Sequence, residues 1–359
     1  MNKLYVSFPN LDGVRAIAVW MVVIAHIWSS QVYDFKVFTS LNLTPLGPIA
    51  VSIFFVLSGF LITYLLLTEK NNFETINLKS FYMRRILRIW PLYFLVLIAG
   101  FALNYEEASF KGFLMCLFFA PNIAFVLHLV PYIIDPIWSI GVEEQFYIFH
   151  PLLVRKIKNN ATLIFAALAI FVVSIKFVGI VFHNGYIEIL RDVMYLTRFD
   201  NMFIGVIAAY MLYSINGGNQ KFKIVTNKYI GFFALVGLVF YVGYIVVLDV
   251  KPIHQIIAML VGLLLIAITD NNENGKFLSS NFMKFNGKIS YGIYLLHRFP
   301  LIFGYYLASK YQLINSPQGL ILLSTLTIVG TIILAYLSNK YFENYFLKKK
   351  HLYAKVLRS

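Results

Sequence analysis

Apolar residues run through this chain in long uninterrupted stretches separated by short polar breaks. The runs lie at about 12–30, 48–68, 89–104, 111–128, 138–154, 161–182, 201–214, 229–247, 253–270, 289–309 and 317–338. Most approach the ~20 residues a helix needs to cross a hydrocarbon core at ~1.5 Å per residue. A β-barrel would show alternating segments of ~10 residues instead. The pattern predicts an all-α integral membrane protein.

Composition agrees, with 60% hydrophobic and 13% charged residues, where soluble domains carry about 25% charged. The net charge of +14 reads as cytoplasmic loops facing anionic lipid, and no nucleic-acid partner is expected. Loop charge also decides which runs cross. If 111–128 stays out and the N-terminus is cytoplasmic, the cytoplasmic loops hold 21 Lys and Arg against 6 outside. If that run crosses, the split becomes 10 against 17. The positive-inside rule selects the first arrangement. About ten transmembrane helices are expected, with both termini cytoplasmic. Residues 111–128, broken at Ala120-Pro121-Asn122, would be re-entrant or surface-lying on the outer side. Irregular backbone at that depth is tolerated where it lines protein or a cavity, so this segment is a plausible site wall. Arg15 interrupts the first run and no small-residue cleavage site follows, so that run is read as a retained span rather than a signal peptide. Residues 1–345 then form one membrane domain. Residues 346–359 form a short basic cytoplasmic tail, read as a lipid contact and topology signal.

Against that background, ionisable residues inside apolar runs are the candidates for chemistry, because they are expensive in hydrocarbon. Arg15 and His26 share the first run. On one helix they stand about 16 Å apart, one near the cytoplasmic side and one toward the outer side. Histidine suits proton transfer near neutrality, and arginine orients a partner or holds an anion. A snorkelling arginine and a core histidine are the alternative, about equally weighted. Arg84, Arg85 and Arg88 meet the cytoplasmic face of the third span. Arginine is the preferred bidentate partner for phosphate, yet an orientation signal binding lipid headgroups is the commoner reason for such a cluster. Trp138, Glu143, Glu144 and Tyr147 open the fourth span, where adjacent glutamates point to different faces. One would enter the bundle and the other reach headgroup water. Acids at a helix start and belt aromatics are the plainer explanation. His297 lies near mid-depth of 289–309, beside Arg298, where a structural polar contact is slightly favoured. Arg198 and Asp200 open the sixth span and would line an acceptor site or cap a helix. Ser58-Gly59 reads as close helix packing. His128, His183 and His254 lack metal-ligand spacing, and the lone Cys116 gives neither a disulfide nor a metal cluster, so no metal is expected.

Taken in order, these stretches resemble the membrane-bound acyltransferase-3 family. The resemblance rests on Arg15 with His26, on Ser58-Gly59-Phe60, and on Arg85 with Arg88. It continues through Trp138-Ser139-Ile140 with Glu143, Phe146-Tyr147, and Tyr291-Gly292-Ile293-Tyr294 with His297. It covers nearly the whole chain. It implies transfer of an acyl group, usually acetyl from cytoplasmic acetyl-coenzyme A, to a hydroxyl of a glycan or other cell-surface acceptor. His26 would be the essential histidine, Arg15 its partner, and Arg85 and Arg88 a coenzyme A contact. Glu143 and His297 would orient His26 or shuttle its proton. A glycan or lipid-linked oligosaccharide and membrane lipid are the implied partners, the inner (cytoplasmic) membrane the implied location, and a homo-oligomer is left open. Many members carry a C-terminal esterase-like domain. Without one, transfer would finish inside the membrane domain or on a separate partner. The competing class is a transporter or flippase for a lipid-linked glycan or small metabolite. Such proteins often show internal repeats, and none is evident. A membrane assembly factor without chemistry would give no reason to keep Arg15 and His26.

Overall fold

In hydrocarbon no water is available to satisfy the backbone, so long apolar runs fold as helices that bond internally. The computed structural model describes residues 4–6, 8–30, 42–104, 109–157, 160–181, 185–270, 275–353 and 356–358. Lys3, Lys36, Lys158, His183 and Lys355 lie outside these residues. The regular elements among the described residues are helices apart from one short parallel pair, β1 (Leu4–Val6) beside β2 (Val356–Arg358). The helices begin with α1 (Asn10–Trp28), α2 (Leu46–Phe73), α3 (Leu78–Leu103), α4 (Phe110–Leu117), α5 (Pro121–Val126), α6 (Ile137–Lys156), α7 (Ala161–Val181) and α8 (Gly185–Thr197). They continue with α9 (Phe199–Asn216), α10 (Lys228–Leu248), α11 (His254–Asp270), α12 (Asn281–Leu296), α13 (Arg298–Lys310), α14 (Pro317–Leu337) and α15 (Asn344–Lys350). Among the described residues, five helical stretches are long and apolar enough to cross a membrane: α1, α2, α3, Tyr229–Leu248 and Pro317–Lys350.

The two strands mark one end of the bundle. At that end Arg84 donates to the Tyr353 carbonyl, Glu69 accepts the Asn77 N–H, and Lys70 donates to the carbonyls of Val154 and Ile157. The opposite end gathers the finish of α1 and the starts of α2, α6, α9 and α11. There His26 meets His297, Arg198 donates to the Pro48 carbonyl, and Ser52 Oγ meets His254 Nδ1. Thus α1, α2, α3 and α6 run alternately up and down. The core sits around α2, which packs most closely on α9. A Cβ at Gly59 would lie 2.1 Å from the Met202 carbonyl oxygen, and one at Gly205 would lie 2.1 Å from that of Val56. Only glycine lets these backbones approach so nearly, the small-residue packing expected of Ser58-Gly59.

Three differences from the hydrophobic pattern bear on the site. First, α3 starts at Leu78 rather than 89, so Arg84, Arg85 and Arg88 lie within a helix and not in a loop. Asn77 caps it by accepting the Ser80 N–H, which overrides the low hydropathy of its first turns. Second, the run 289–309 is two helices, α12 and α13, meeting at His297. His297 therefore stands at a helix junction instead of within one continuous span. Third, 111–128 forms α4 and α5, separated by Phe119 at φ 58° and closed by Pro121 at the start of α5. Eight and six residues reach about 12 and 9 Å, against a hydrocarbon core of ~30 Å. Gln145 of α6 holds the break, donating to the Phe119 carbonyl and to Asn122 Oδ1. Gly141 makes room for it, since a Cβ there would meet Pro121 Cδ at 2.4 Å. In the tail, α15 lies along α3 with Lys348 and Lys349 exposed, and β2 pairs with β1.

Candidate active site

Helical spacing decides what the arginine cluster faces. Arg85 and Arg88 are three residues apart on α3 and share a face. Both line a cavity of about 100 Å³ with Arg15, Ser58, Ser139, Glu143, Tyr147, Ser290, Tyr291 and Tyr294. Arg84 is turned by about 100° from Arg85 and does not line it. Its guanidinium bonds Glu69 at 3.2 Å and the Tyr353 carbonyl at 2.7 Å, so it ties the chain's end to α2 and is removed from the ligand-binding set.

Inside the cavity the charges are held by specific partners. Arg15 bonds Asp12 at 3.1 Å. Glu143 accepts from Ser58 Oγ at 3.0 Å and Tyr147 O–H at 2.8 Å. The Arg85 guanidinium lies 5.6 Å from the Tyr147 ring and 5.9 Å from the Phe81 ring, a cation–π arrangement. Its buried Nε has no hydrogen-bond partner. Buried donors are normally paired, so this one is free to bond an acceptor group. Positive arginines dominate the lining, and the single carboxylate is already bonded. The cavity is built for an anion or a polarised carbonyl.

His26 and His297 sit beyond the far end. Their rings are nearly parallel, at 12°, with centroids 4.9 Å apart. His26 Nδ1 lies 2.6 Å from His297 Nε2. The tautomers follow from the remaining contacts. His297 Nδ1 faces the carbonyls of Tyr294 at 2.8 Å and Ile293 at 3.2 Å. A carbonyl only accepts, so Nδ1 carries the proton and Nε2 of a neutral ring accepts. His26 Nδ1 must then donate, which leaves the lone pair on His26 Nε2. A base is thereby set with a fixed tautomer and a third group behind it. Between this pair and the cavity stands Tyr294. Its O–H and Ser139 Oγ are 2.7 Å apart, and its ring is 6.3 Å from that of His297.

Several candidates therefore join and others separate. Arg15, Arg85, Arg88, Glu143 and Tyr147 share one cavity, and His26 pairs with His297. Arg15 belongs with the other arginines, eleven residues below His26, and Glu143 bonds Ser58 and Tyr147 instead of His26. Glu144 does not reach headgroup water: it is 8% exposed and accepts from Trp90 Nε1 at 2.8 Å, because α3 covers that face of α6. Trp138 packs its ring on Phe55 and Phe125. Arg198 and Asp200 form a separate buried network at the same end of the bundle as His26. Arg198 bonds Pro48 and Ser52, while Asp200 pairs with Lys176 at 2.6 Å and accepts from Gln255. They do not line the cavity. Tyr294 and Ser139 entered the sequence reading only as motif residues without a role, and Asp135 did not enter it. The spacing of Tyr291, Tyr294 and His297 at three-residue intervals was the signal for the first. No group of three metal-ligating side chains occurs among the described residues.

A family model described as an acyltransferase domain, acyltransferase-3, matches residues 8–340. The O-acetyltransferase OatA of Staphylococcus aureus (strain NCTC 8325 / PS 47) is 27% identical over 329 residues, covering 84% of this chain and 52% of that protein. The peptidoglycan O-acetyltransferase OatA of Listeria monocytogenes serovar 1/2a is 26% identical over 363 residues, covering 93% and 55%. The chain thus spans about half the length of the curated relatives it matches. No solved structure matches. The match runs from the start of α1 to the π-helical turn Ser338–Glu343 after α14, and the chain belongs to the acyltransferase-3 family.

Proposed function

We propose that this protein is a ten-span membrane O-acyltransferase with cytoplasmic termini, placed in the cytoplasmic membrane. It would take acetyl from acetyl-coenzyme A on the cytoplasmic side and pass it to a hydroxyl of a cell-surface glycan. The observation that carries this reading is the line from Arg15, Arg85 and Arg88 through the cavity to the His26–His297 pair. One end suits an anionic donor, and the other holds a base of defined tautomer. Peptidoglycan is the acceptor class favoured by the relatives' names, and a lipid-linked oligosaccharide is the alternative form of the same chemistry. Residues 111–128 would stay on the outer side as α4 and α5.

The arginines would hold the donor, with Arg85 Nε available to a phosphate or thioester oxygen. The thioester would travel along the cavity past Tyr294. His26 Nε2 takes the acceptor hydroxyl's proton as its oxygen bonds the thioester carbonyl carbon. His26 Nδ1–H donates to His297, which supports the imidazolium that forms. The tetrahedral intermediate collapses with loss of the C–S bond, and the thiolate leaves with the proton from His26. The balance is ester plus free thiol. Purified protein given labelled acetyl-coenzyme A and a glycan acceptor is expected to yield labelled ester. His26→Ala should remove that transfer while the protein stays folded. Full transfer by His26→Ala would sink the mechanism.

A further inference from the structure

His297 is the junction between α12 and α13, and the next residue, Arg298, is 3% exposed. Its guanidinium is fixed on two sides. Nε and Nη2 fork onto the Asp135 carboxylate at 3.0 and 2.6 Å, and the Tyr132 ring lies 4.0 Å from its carbon. Asp135 and Tyr132 come from the turn before α6. The third nitrogen, Nη1, is buried and has no hydrogen-bond partner. Leaving a charged donor unpaired is costly, and such an orphan in a folded protein calls for a reason. A tether between α13 and the 132–136 turn needs only the edge that Asp135 already uses. Arg298 directly follows His297, whose Nε2 lies 2.6 Å from His26 Nδ1, so the unused donor belongs to the residue next to the histidine that backs the base. Because Asp135 and Tyr132 pin the plane, the donor is preorganised and does not have to be recruited during reaction.

We propose that Arg298 is a catalytic residue whose Nη1–H binds the acyl carbonyl oxygen as it becomes an oxyanion. This rests on the transferase reading. As the acceptor oxygen attacks and its proton passes to His26 Nε2, the carbonyl π pair moves onto oxygen. Arg298 Nη1 donates to that oxyanion. When the pair returns, the C–S bond breaks and the thiolate takes the proton from His26. Donors placed where charge develops are commonly the largest catalytic term. Asp135 is a positioning residue that also offsets the cation next to two histidines.

The test uses the full chain in nanodiscs with acetyl-coenzyme A, following thiol release with chitotetraose and with water as acceptors. Arg298→Gln should lower kcat by about 10²- to 10³-fold while KM for acetyl-coenzyme A stays within about twofold. A merely structural tether would not split kcat from KM in this way. Since Arg298→Gln leaves Asp135 unpaired, the double variant Asp135→Leu/Arg298→Met removes both charges and avoids a lone buried ion. It should fold and show the same loss. A folded double variant with wild-type kcat, or an Arg298→Gln enzyme changed only in KM, would overturn the assignment alone. A wild-type chain that releases no thiol would overturn the transferase reading as well.

Discussion

Arg84 and Arg85 are neighbours in sequence with opposite fates. A single step along α3 turns one toward Glu69 and Tyr353 and the other into the cavity. If Arg85 holds the donor as proposed, Arg85→Ala removes one charge-assisted contact worth about 1.5–3 kcal/mol, so KM for acetyl-coenzyme A should rise about 10- to 100-fold. Arg84→Ala should leave that KM near wild type. It strands Glu69, which is 1% exposed, and breaking such a buried pair costs about 3–5 kcal/mol of stability. Steady-state kinetics beside thermal unfolding of each variant separates the two outcomes. Equal KM effects would mean that both arginines reach the donor. The sequence showed that arginines cluster here, but which one faces inward depends on where α3 begins. The hydrophobic run places that start eleven residues late, because a polar first turn carried by the Asn77 cap leaves no apolar signal. His26 was legible as a costly group in hydrocarbon. Its partner His297, 271 residues away, was legible from the residues only as a second such group and as a partner only through the family resemblance, since pairing across helices is a tertiary fact.

At the scale of elements, the bundle depends on backbones that nearly touch. Gly59 of α2 and Gly205 of α9 approach each other's helix so closely that a Cβ would overlap a carbonyl oxygen at either position. Helix association in lipid gains little from hydrophobic burial and relies on such packing. Gly59→Leu should push α2 from α9 and cost at least the ~1–3 kcal/mol typical of overpacking. Ser58 on the adjacent position holds Glu143, so the displacement should also disturb the cavity. A lowered unfolding midpoint together with weaker donor binding is expected for Gly59→Leu, measured on detergent-solubilised protein. An unchanged midpoint would show that the helices can part without loss. The Ser58-Gly59 pair gave this packing away in sequence. The break at Ala120-Pro121-Asn122 was equally readable, because proline and the run's short halves are local signals. The division of 289–309 had a local signal as well, Pro300 in the first turn of α13, but the unbroken apolar run concealed it.

For the whole molecule, the proposed chemistry requires that the two ends of α1 face different compartments. The end bearing Arg15 also holds the chain termini, through β1 with β2, and the α2–α3 turn around Glu74. The end bearing His26 also holds Asp249, which accepts from Asn42 ahead of α2. In the proposed orientation loop charge puts the first end in the cytoplasm, where the proposed donor, acetyl-coenzyme A, is found, so orientation and chemistry must agree. Cys116 is buried, and Cys116→Ser gives a background without thiols. On it, Asp249→Cys should react with a membrane-impermeant maleimide added to intact cells. Glu74→Cys, on an exposed turn at the other end, should react only after permeabilisation. The reverse pattern would place the arginine-lined cavity on the outer side, away from any coenzyme A. The proposed direction of transfer would then fail even if the His26–His297 geometry stood.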